Sequence, residues 1–287
     1  MKHILIITFL LSSLLAFNIK ITDSNIANAQ TTLIELKKEQ NIRYKYLVFE
    51  KKKYRIFPHP IKKQTMYALL PMSYYAKKNT KKIHIIYSQH DKDKSKYFFI
   101  KVKDGKYKKE KINVSKSKVN PKAEKVKERI SREYSEAMKT YNRVTSKSYI
   151  KSKFILPLES FITSDFGKAR VYNGSLKGYH SGTDFRAKIG TPIHASNDGI
   201  VVLVKQRFYS GGTVIINHGQ GIYTCYFHMS KFHVKKNQKV KKGEVLGLSG
   251  MSGRVTGPHL HFAVRINGVQ VDPLQFIELI NTKLLRN

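Results

Sequence analysis

Short runs of alternating apolar and polar residues recur through the first third of the chain and predict β-strands. Lysine clusters separate these runs. Residues 30–115 are therefore predicted to form a small β domain, with strands over residues 44–50, 54–58, 65–71, 82–88 and 96–102.

The period of the apolar pattern changes after residue 115. Asn120 is a suitable N-cap and Pro121 suits the first helical position, so we predict a helix from Pro121 to Tyr141. An apolar stripe needs a surface to pack against, so residues 116–153 are predicted to be a packed helical connector. The stripe follows i+3/i+4 spacing at Ala123, Val126, Ile130, Tyr134, Met138 and Tyr141.

Glycine becomes frequent from Phe154 onward, and it separates short β-type runs. Asn267 and Gly268 form a type I′ hairpin signal. Residues 154–287 are predicted to form a compact antiparallel β domain, which makes the chain mainly β overall. The runs cover residues 199–205, 212–219, 221–229, 245–249 and 259–266.

The first 29 residues are typical of an export signal. Lys2 and His3 precede an apolar run over residues 4–17, and Ala27 and Ala29 provide a small-x-small cleavage site. The run is short for a bilayer span of about 20 residues, although an uncleaved membrane anchor stays an alternative. We expect an exported protein of the periplasm or cell envelope, with a signal peptide over residues 1–29.

The single cysteine, Cys225, excludes an internal disulfide, and its β-rich surroundings predict a buried apolar residue. The net charge of +35 is concentrated in residues 30–153, which hold 35 Lys and Arg against 11 Asp and Glu. Scattered lysines without a recognition motif argue against nucleic acid as a partner. Anionic polymers of the cell wall fit this charge better.

Histidine and aspartate cluster in the last domain. His180 and Asp184 are four residues apart, and His228 ends an apolar strand. His259 and His261 project from the same face of their strand, while Leu260 points to the core. Two imidazoles and one carboxylate can hold a catalytic zinc ion and leave a fourth position open. A histidine beside the ligands can then transfer protons.

The stretches "ITSDFG", "YHSGTDFRAKIGTPIHASNDGIVV", "GTVIINHGQGIYTCYFHMS", "VKKGEVLGLSGMSGRVTGPHLHFAV" and "NGVQVDP" follow one another between Leu156 and Phe276. In this order they resemble the LytM/lysostaphin-type zinc metallopeptidases, which cut peptide bonds in bacterial peptidoglycan. The resemblance implies one Zn²⁺ per chain, with His180, Asp184 and His261 as ligands. It also implies that His228 and His259 are catalytic histidines that do not bind the metal. Tyr172 and Tyr179 are nearby candidates for a transition-state tyrosine, and neither aligns securely.

The resulting expectation is a zinc-dependent hydrolase of peptide cross-links or stems in peptidoglycan, acting as a D,D-endopeptidase in cell-wall remodelling. D-Ala–diaminopimelate cross-links and glycine bridges both stay open as substrates. A catalytically silent wall-binding or amidase-activating module is the alternative, and a basic polymer-binding protein is a third. The N-terminal region would dock, position or restrain the peptidase domain, with or without a regulatory protein partner.

Overall fold

The computed structural model describes residues 18–112, 121–172 and 175–286. Its secondary structure is mainly β, as the sequence predicts, with one long helix between two β regions. None of the helices in the described ranges combines the length and the apolarity needed to cross a bilayer. Residues 1–17, which carry the predicted apolar leader, and Asn120, the predicted N-cap, lie outside the described residues.

The N-terminal region is a sandwich of two sheets. A four-stranded sheet has the order β1-β3-β7-β6, and a five-stranded sheet has the order β2-β9-β8-β4-β5. Leu36 and Leu70 from the first sheet pack against Leu47, Ile85 and Ile100 from the second. The strands are β1 (Ile19–Ile21), β2 (Asn25–Ala27), β3 (Thr31–Lys37), β4 (Ile42–Phe49), β5 (Lys52–Arg55), β6 (Phe57–Pro58), β7 (Thr65–Pro71), β8 (Thr80–Gln89) and β9 (Lys92–Lys103).

All five runs predicted in this region lie on strands, and the first three strands are additional. Strand β2 pairs with β9, and Ile26 and Ala29 are 1% and 0% exposed. Cleavage after Ala29 would remove β1 from the four-stranded sheet and β2 from the five-stranded sheet.

The C-terminal half is built on an eight-stranded sheet with the order β11-β14-β22-β18-β17-β16-β20, in which β23 pairs with β22. Two three-stranded sheets, β10-β12-β13 and β15-β21-β19, flank it. The elements are β10 (Lys109–Ile112), α1 (Glu124–Tyr141), β11 (Ile162–Ser164), β12 (Ala169–Tyr172), β13 (Ser175–Tyr179), β14 (Thr183–Arg186), β15 (Pro192–His194), β16 (Gly199–Arg207), β17 (Gly211–Gly219), β18 (Ile222–Met229), β19 (Lys231–Phe232), β20 (Lys239–Val240), β21 (Val245–Leu248), β22 (His259–Ile266), β23 (Val269–Val271), α2 (Pro273–Leu279) and a π-helical turn (Ile280–Leu284).

The hairpin predicted at Asn267-Gly268 is confirmed. Ile266 pairs with Val269, and the two turn residues have φ angles of 50° and 80°. Positive φ at both central positions is the type I′ requirement, and asparagine and glycine tolerate it best.

The two faces of the eight-stranded sheet have different tasks. Leu260, Phe262 and Val264 of β22 are fully buried in the main core. The alternate residues, His261 and Ala263, face the opposite side. Helix α1 covers one half of that opposite face and leaves the other half for the histidines.

The helix begins three residues later than predicted, at Glu124. Ala123 is its N-cap, with an extended backbone and no side-chain cap hydrogen bond, so Pro121 precedes the helix and does not start it. The predicted packing is present: Ala137 and Tyr141 are buried against Cys225 and Ala263. The buried stripe is rotated from the predicted one, because Glu133 and Ala137 are buried whereas Tyr134 is exposed.

The sandwich and the C-terminal half share one continuous core. Leu33 and Tyr67 of the four-stranded sheet belong to the same buried cluster as Phe262 and Phe276. Gln275 fastens this contact, because its amide accepts a hydrogen bond from the Thr31 N–H and donates one to the Thr31 carbonyl, both at 2.9 Å. The N-terminal region is therefore docked firmly on the C-terminal half.

Candidate metal centre

Three side chains converge at the uncovered half of the sheet face. Asp184 of β14 pairs directly with His261 of β22, which places both side chains on one face. His180 lies just after β13 and is fully buried. Asp184 Oδ1 is 2.9 Å from His180 Nε2 and 2.7 Å from His261 Nδ1, and the two ring nitrogens are 3.0 Å apart.

Among the residues that the structure describes, these three form the one group of histidine, cysteine or carboxylate side chains that could hold a metal ion. Their ligand atoms all lie within 4.8 Å of one another. Two imidazoles and one carboxylate are a donor set of catalytic zinc sites. The centre therefore fits one Zn²⁺ ion per chain, which His180, Asp184 and His261 could hold.

The charge state of the group suits a cation. Burial works to raise the pKa of Asp184, but His261 and His180 outweigh it and hold that pKa well below its usual range. Burial lowers the pKa of His261 to about 4, although Asp184 opposes this change. An ionised carboxylate beside a neutral imidazole is what metal binding requires.

Gly182 has no side chain, and this allows the backbone beside β14 to approach β22 closely enough for His261 to reach Asp184. A Cβ atom at this position would lie 2.6 Å from His261 Nε2 and closer still to the Phe262 carbonyl oxygen. Any other residue would force β22 and the His261 ring away from Asp184. The "HSGTD" segment therefore needs glycine at position 182, between His180 and Asp184.

His228 and His259 lie beside the three ligands. Their ring centroids are 4.8 Å apart, and His259 Nε2 is 3.7 Å from Asp184 Oδ1. Each Nδ1–H donates to a backbone carbonyl, that of Ser252 at 2.8 Å for His228 and that of Gly257 at 2.9 Å for His259. Both Nε2 atoms are thereby left available to the site.

His228 reaches this face through a β-bulge. Phe227 pairs with His261, so regular alternation would turn His228 toward the core. The register between β17 and β18 shifts here, and His228 has a φ of 62°. The bulge turns the imidazole back to the side of the metal ligands. Burial, followed by the charges of His261 and His259, lowers the pKa of His228 to about 3.

Three residues near the centre were not predicted from the sequence. Arg170 Nη2 is 3.4 Å from Asp184 Oδ2, and Arg170 Nε is 3.3 Å from Glu110 Oε2. Ser164 donates a hydrogen bond to Glu110 Oε1 at 3.0 Å, and its Oγ is 3.3 Å from His180 Nδ1. The basic and glycine-containing stretch "RVYNGSLKGYH", which begins at Arg170, is a sequence signal for that arginine, but it does not point to Glu110.

A groove runs from the metal centre along helix α1, with a volume of about 880 Å³. His228 and His261 lie at one end, and Tyr134 of the helix, 64% exposed, lines its wall. The other lining groups include four guanidinium groups, those of Arg170, Arg207, Arg254 and Arg265.

His194 and His218 do not join the centre. His218 is buried between the Asp198 carbonyl and the Thr224 hydroxyl, and His194 contacts the Gly243 carbonyl. The ring of Tyr179 stacks on Tyr74 at 3.8 Å. The side chain of Tyr172 lies outside the described residues.

Comparison with known proteins agrees with this geometry. The sequence profile of peptidase family M23 matches residues 178–273. The peptidoglycan DD-endopeptidase ShyA of Vibrio cholerae is 44% identical over 115 residues, which are 40% of this chain and 27% of that protein. The DD-carboxypeptidase/endopeptidase Mpg of Neisseria meningitidis is 43% identical over 95 residues, which are 33% of this chain and 22% of that protein.

The chain thus spans about a quarter of the length of these curated relatives. The crystal structure of a proposed peptidase M23 from Pseudomonas aeruginosa has a TM-score of 0.65 and 26% identity, covering 85% of this chain and 92% of that chain. The matched segment contains all three metal-ligand side chains and both neighbouring histidines. Residues 178–273 of this chain therefore form a domain of peptidase family M23.

Proposed function

We propose that this protein is a zinc-dependent endopeptidase that hydrolyses peptide cross-links in bacterial peptidoglycan, as a D,D-endopeptidase. The observation that carries the proposal is the cluster of five groups on one sheet face. Two buried histidines and an aspartate can hold the metal, and two more histidines lie beside them with Nε2 available. The relatives named as peptidoglycan DD-endopeptidases support the choice of substrate.

The catalytic roles follow from the fixed tautomers. When bound, zinc would act as a Lewis acid that polarises a carbonyl and lowers the pKa of a water to about 7. His228 and His259 each keep Nδ1–H on a backbone carbonyl, so Nε2 can accept a proton from the attacking water or return one to the leaving amine. The pair supplies both steps of proton transfer.

The groove supports a peptide substrate that carries carboxylates. The guanidinium of Arg254 stacks over the ring of Tyr209, at 4.3 Å from the ring centroid, and this contact positions it in the groove. This guanidinium adds positive charge to the lining of the groove, which suits the free carboxylates of a stem peptide. The exposed ring of Tyr134 adds an apolar wall.

We further propose that the protein is exported and acts in the cell envelope, where its substrate lies. The burial of Ile26 and Ala29 argues for a leader that ends before Asn18, because β1 and β2 are needed in the sandwich. The exported chain then retains both β1 and β2.

Digestion of defined muropeptides tests the activity. Zinc-loaded full-length protein should convert cross-linked dimers to monomers, with a new amine and a new carboxyl end resolved by chromatography and mass spectrometry. Pentapeptide monomers, supplied in parallel, report carboxypeptidase activity, and glycine-bridged dimers report the other cross-link.

His228→Ala is the matched inactive variant, because it leaves the three metal ligands in place. Unchanged dimers with zinc-loaded wild-type protein, together with retained binding to purified sacculi, would instead support a catalytically silent wall-binding module.

A further inference from the structure

A strand from outside the matched family segment reaches the metal centre. Strand β10 (Lys109–Ile112) pairs in parallel with β12, and Glu110 lies opposite Arg170 in that pairing. The family match begins at residue 178, so Glu110, Ser164 and Arg170 all precede it. Glu110 follows the N-terminal sandwich directly along the chain.

Glu110 connects to two of the three metal ligands. Its Oε2 faces Arg170 Nε at 3.3 Å, and Arg170 in turn faces Asp184 Oδ2 at 3.4 Å. Its Oε1 accepts a hydrogen bond from Ser164, whose Oγ is 3.3 Å from His180 Nδ1. Lys168 Nζ, 3.6 Å from Oε1, adds a further contact.

The ion pair between Glu110 and Arg170 is largely withdrawn from water. Glu110 Oε2 and Arg170 Nε are buried atoms, and within the described residues neither has a hydrogen-bond partner by strict geometry. Each is therefore balanced mainly by the opposite charge that faces it. Removing the charge of Glu110 would leave Arg170 Nε without the carboxylate that faces it, and Asp184 on the Nη2 side would be the remaining acidic contact.

The charges explain why the carboxylate matters to the centre. Arg170 holds the oxygen of Asp184 that faces away from His180 and His261, and this fixes the orientation of the carboxylate. A guanidinium so close to the ligands also repels a metal cation. Glu110 offsets that repulsion while keeping Arg170 in place.

We propose that Glu110 is a positioning residue of the metal centre, which it supports through Arg170 and Ser164; this inference rests on the proposed zinc-dependent function. The segment that follows the N-terminal sandwich thereby completes the surroundings of the peptidase metal. Partners of metal ligands typically change metal affinity by about 10-fold to 100-fold when they are substituted.

The test compares two substitutions that separate charge from shape. Glu110→Gln keeps the size and removes the charge, whereas Glu110→Asp keeps the charge and shortens the side chain. Zinc affinity is measured in full-length protein by competition with a chelator of known affinity. We expect Glu110→Gln to bind zinc at least about 10-fold more weakly than wild type, and Glu110→Asp to lose less. The opposite order would show a packing role and overturn the proposal.

A double-mutant cycle checks the route through Arg170. Glu110→Gln should cost much less zinc affinity in an Arg170→Gln background than in the wild type, because the charge that Glu110 offsets is then absent. Additive losses contradict this route. Glu128→Gln, an exposed glutamate on helix α1, is the matched control and should leave zinc affinity unchanged.

Melting of the metal-free proteins separates zinc binding from folding. Equal destabilisation with and without zinc in Glu110→Gln would again indicate a structural role and contradict the proposal. Normal zinc binding by wild type without hydrolysis of muropeptides would overturn the proposed function and leave the role of Glu110 standing.

Discussion

The four histidines of the metal centre use their ring nitrogens in two ways. His180, His228 and His259 each direct Nδ1 to a backbone carbonyl, at 2.7, 2.8 and 2.9 Å. Their Nε2 atoms are consequently directed toward the site. His261 instead presents Nδ1 to Asp184. Backbone carbonyls, which the sequence does not reveal, therefore decide which nitrogen of His180, His228 and His259 faces the site.

The two histidines of "HLH" should fail differently when they are substituted. His261→Ala removes a metal ligand, so bound zinc should be lost. His259→Ala leaves all three ligands, so zinc should stay bound while turnover falls by about 10² to 10⁴. Metal analysis of the purified proteins and muropeptide turnover measure both effects. Loss of zinc from both variants would contradict the division of roles.

Gly182→Ala tests the close approach of the two ligand strands. The added methyl group would overlap the Phe262 carbonyl oxygen and the His261 ring, so β22 must move. We expect destabilisation of about 1–3 kcal/mol and weaker zinc binding, measured by urea unfolding and chelator competition. Gly257→Ala is the matched control, since a Cβ atom added there would have nothing within 4 Å of it. Equal behaviour of the two variants would show that space at Gly182 is not limiting.

At the scale of elements, strand β18 shows how a bulge brings the side chain of His228 to the metal side of the sheet. Tyr226 and Met229 are buried in the core, while Phe227 and His228 between them both face the metal side. Two consecutive residues can share a face only because the strand departs from regular pleating. Helix α1 then limits this face on one side, and the groove follows from that arrangement.

The buried His218 of β17 links this strand to Thr224 of β18, and its contribution to stability can be tested by changing the pH. It is buried, with Nδ1 on the Asp198 carbonyl and Nε2 near the Thr224 hydroxyl, both at 2.7 Å. Burial lowers its pKa from 6.5 to about 4. The unfolded chain therefore binds this proton more tightly, and stability present above pH 6.5 is lost as the pH falls toward 4.

Between pH 7 and pH 5 this single group should remove about 2 kcal/mol from the free energy of unfolding. His218→Gln should be less stable at pH 7 but should lose correspondingly less on acidification. Urea unfolding of both metal-free proteins at the two pH values gives the comparison. Identical pH dependence in the two proteins would exclude His218 as a contributor.

At the scale of the whole molecule, the positive charge is unevenly placed. The N-terminal sandwich and helix carry most of the net charge of +35, and lysines cover the exposed surface of β9. Lys82 Nζ, for example, lies 4.3 Å from the ring of Tyr97 on this outer face. Long-range attraction to an anionic wall polymer follows from such a surface.

Binding to purified sacculi should therefore weaken steeply as salt rises toward about 0.15 M, where the screening length is about 8 Å. His261→Ala should show the same salt dependence, because the charged surface does not involve the metal ligands. Co-sedimentation at several salt concentrations measures the effect, and chitin serves as an uncharged control polymer. Salt-independent binding to sacculi would exclude electrostatic attraction.

The mature N-terminus tests the role of the first strands. Because β1 and β2 belong to the sandwich, the processed protein should retain residues 19–29. Intact mass and N-terminal sequencing of protein recovered from the envelope fraction check this directly. A mature chain that begins at Gln30 would show that the sandwich folds without these strands.

The sequence by itself determined the strands with clear alternation and the Asn267-Gly268 turn, and its resemblance to a known family predicted which histidines and which aspartate would be the metal ligands. These features depend on local periodicity and on residue types whose chemistry is specific, such as histidine and aspartate. The strand alternation in "HLH" was sufficient to put His259 and His261 on one face. Local pattern did not reveal the true start of helix α1, because Ala123 has no capping side chain.

Only the tertiary structure decided which atoms meet. Glu110 is far from every metal ligand in sequence, and the pairing of β10 with β12 brings it to Arg170. The bulge at His228 reverses the face that alternation assigns to it, and the fit of Gly182 against β22 involves a carbonyl of another strand. Such contacts depend on strand register and on the docking of the two halves, and both are properties of the whole fold.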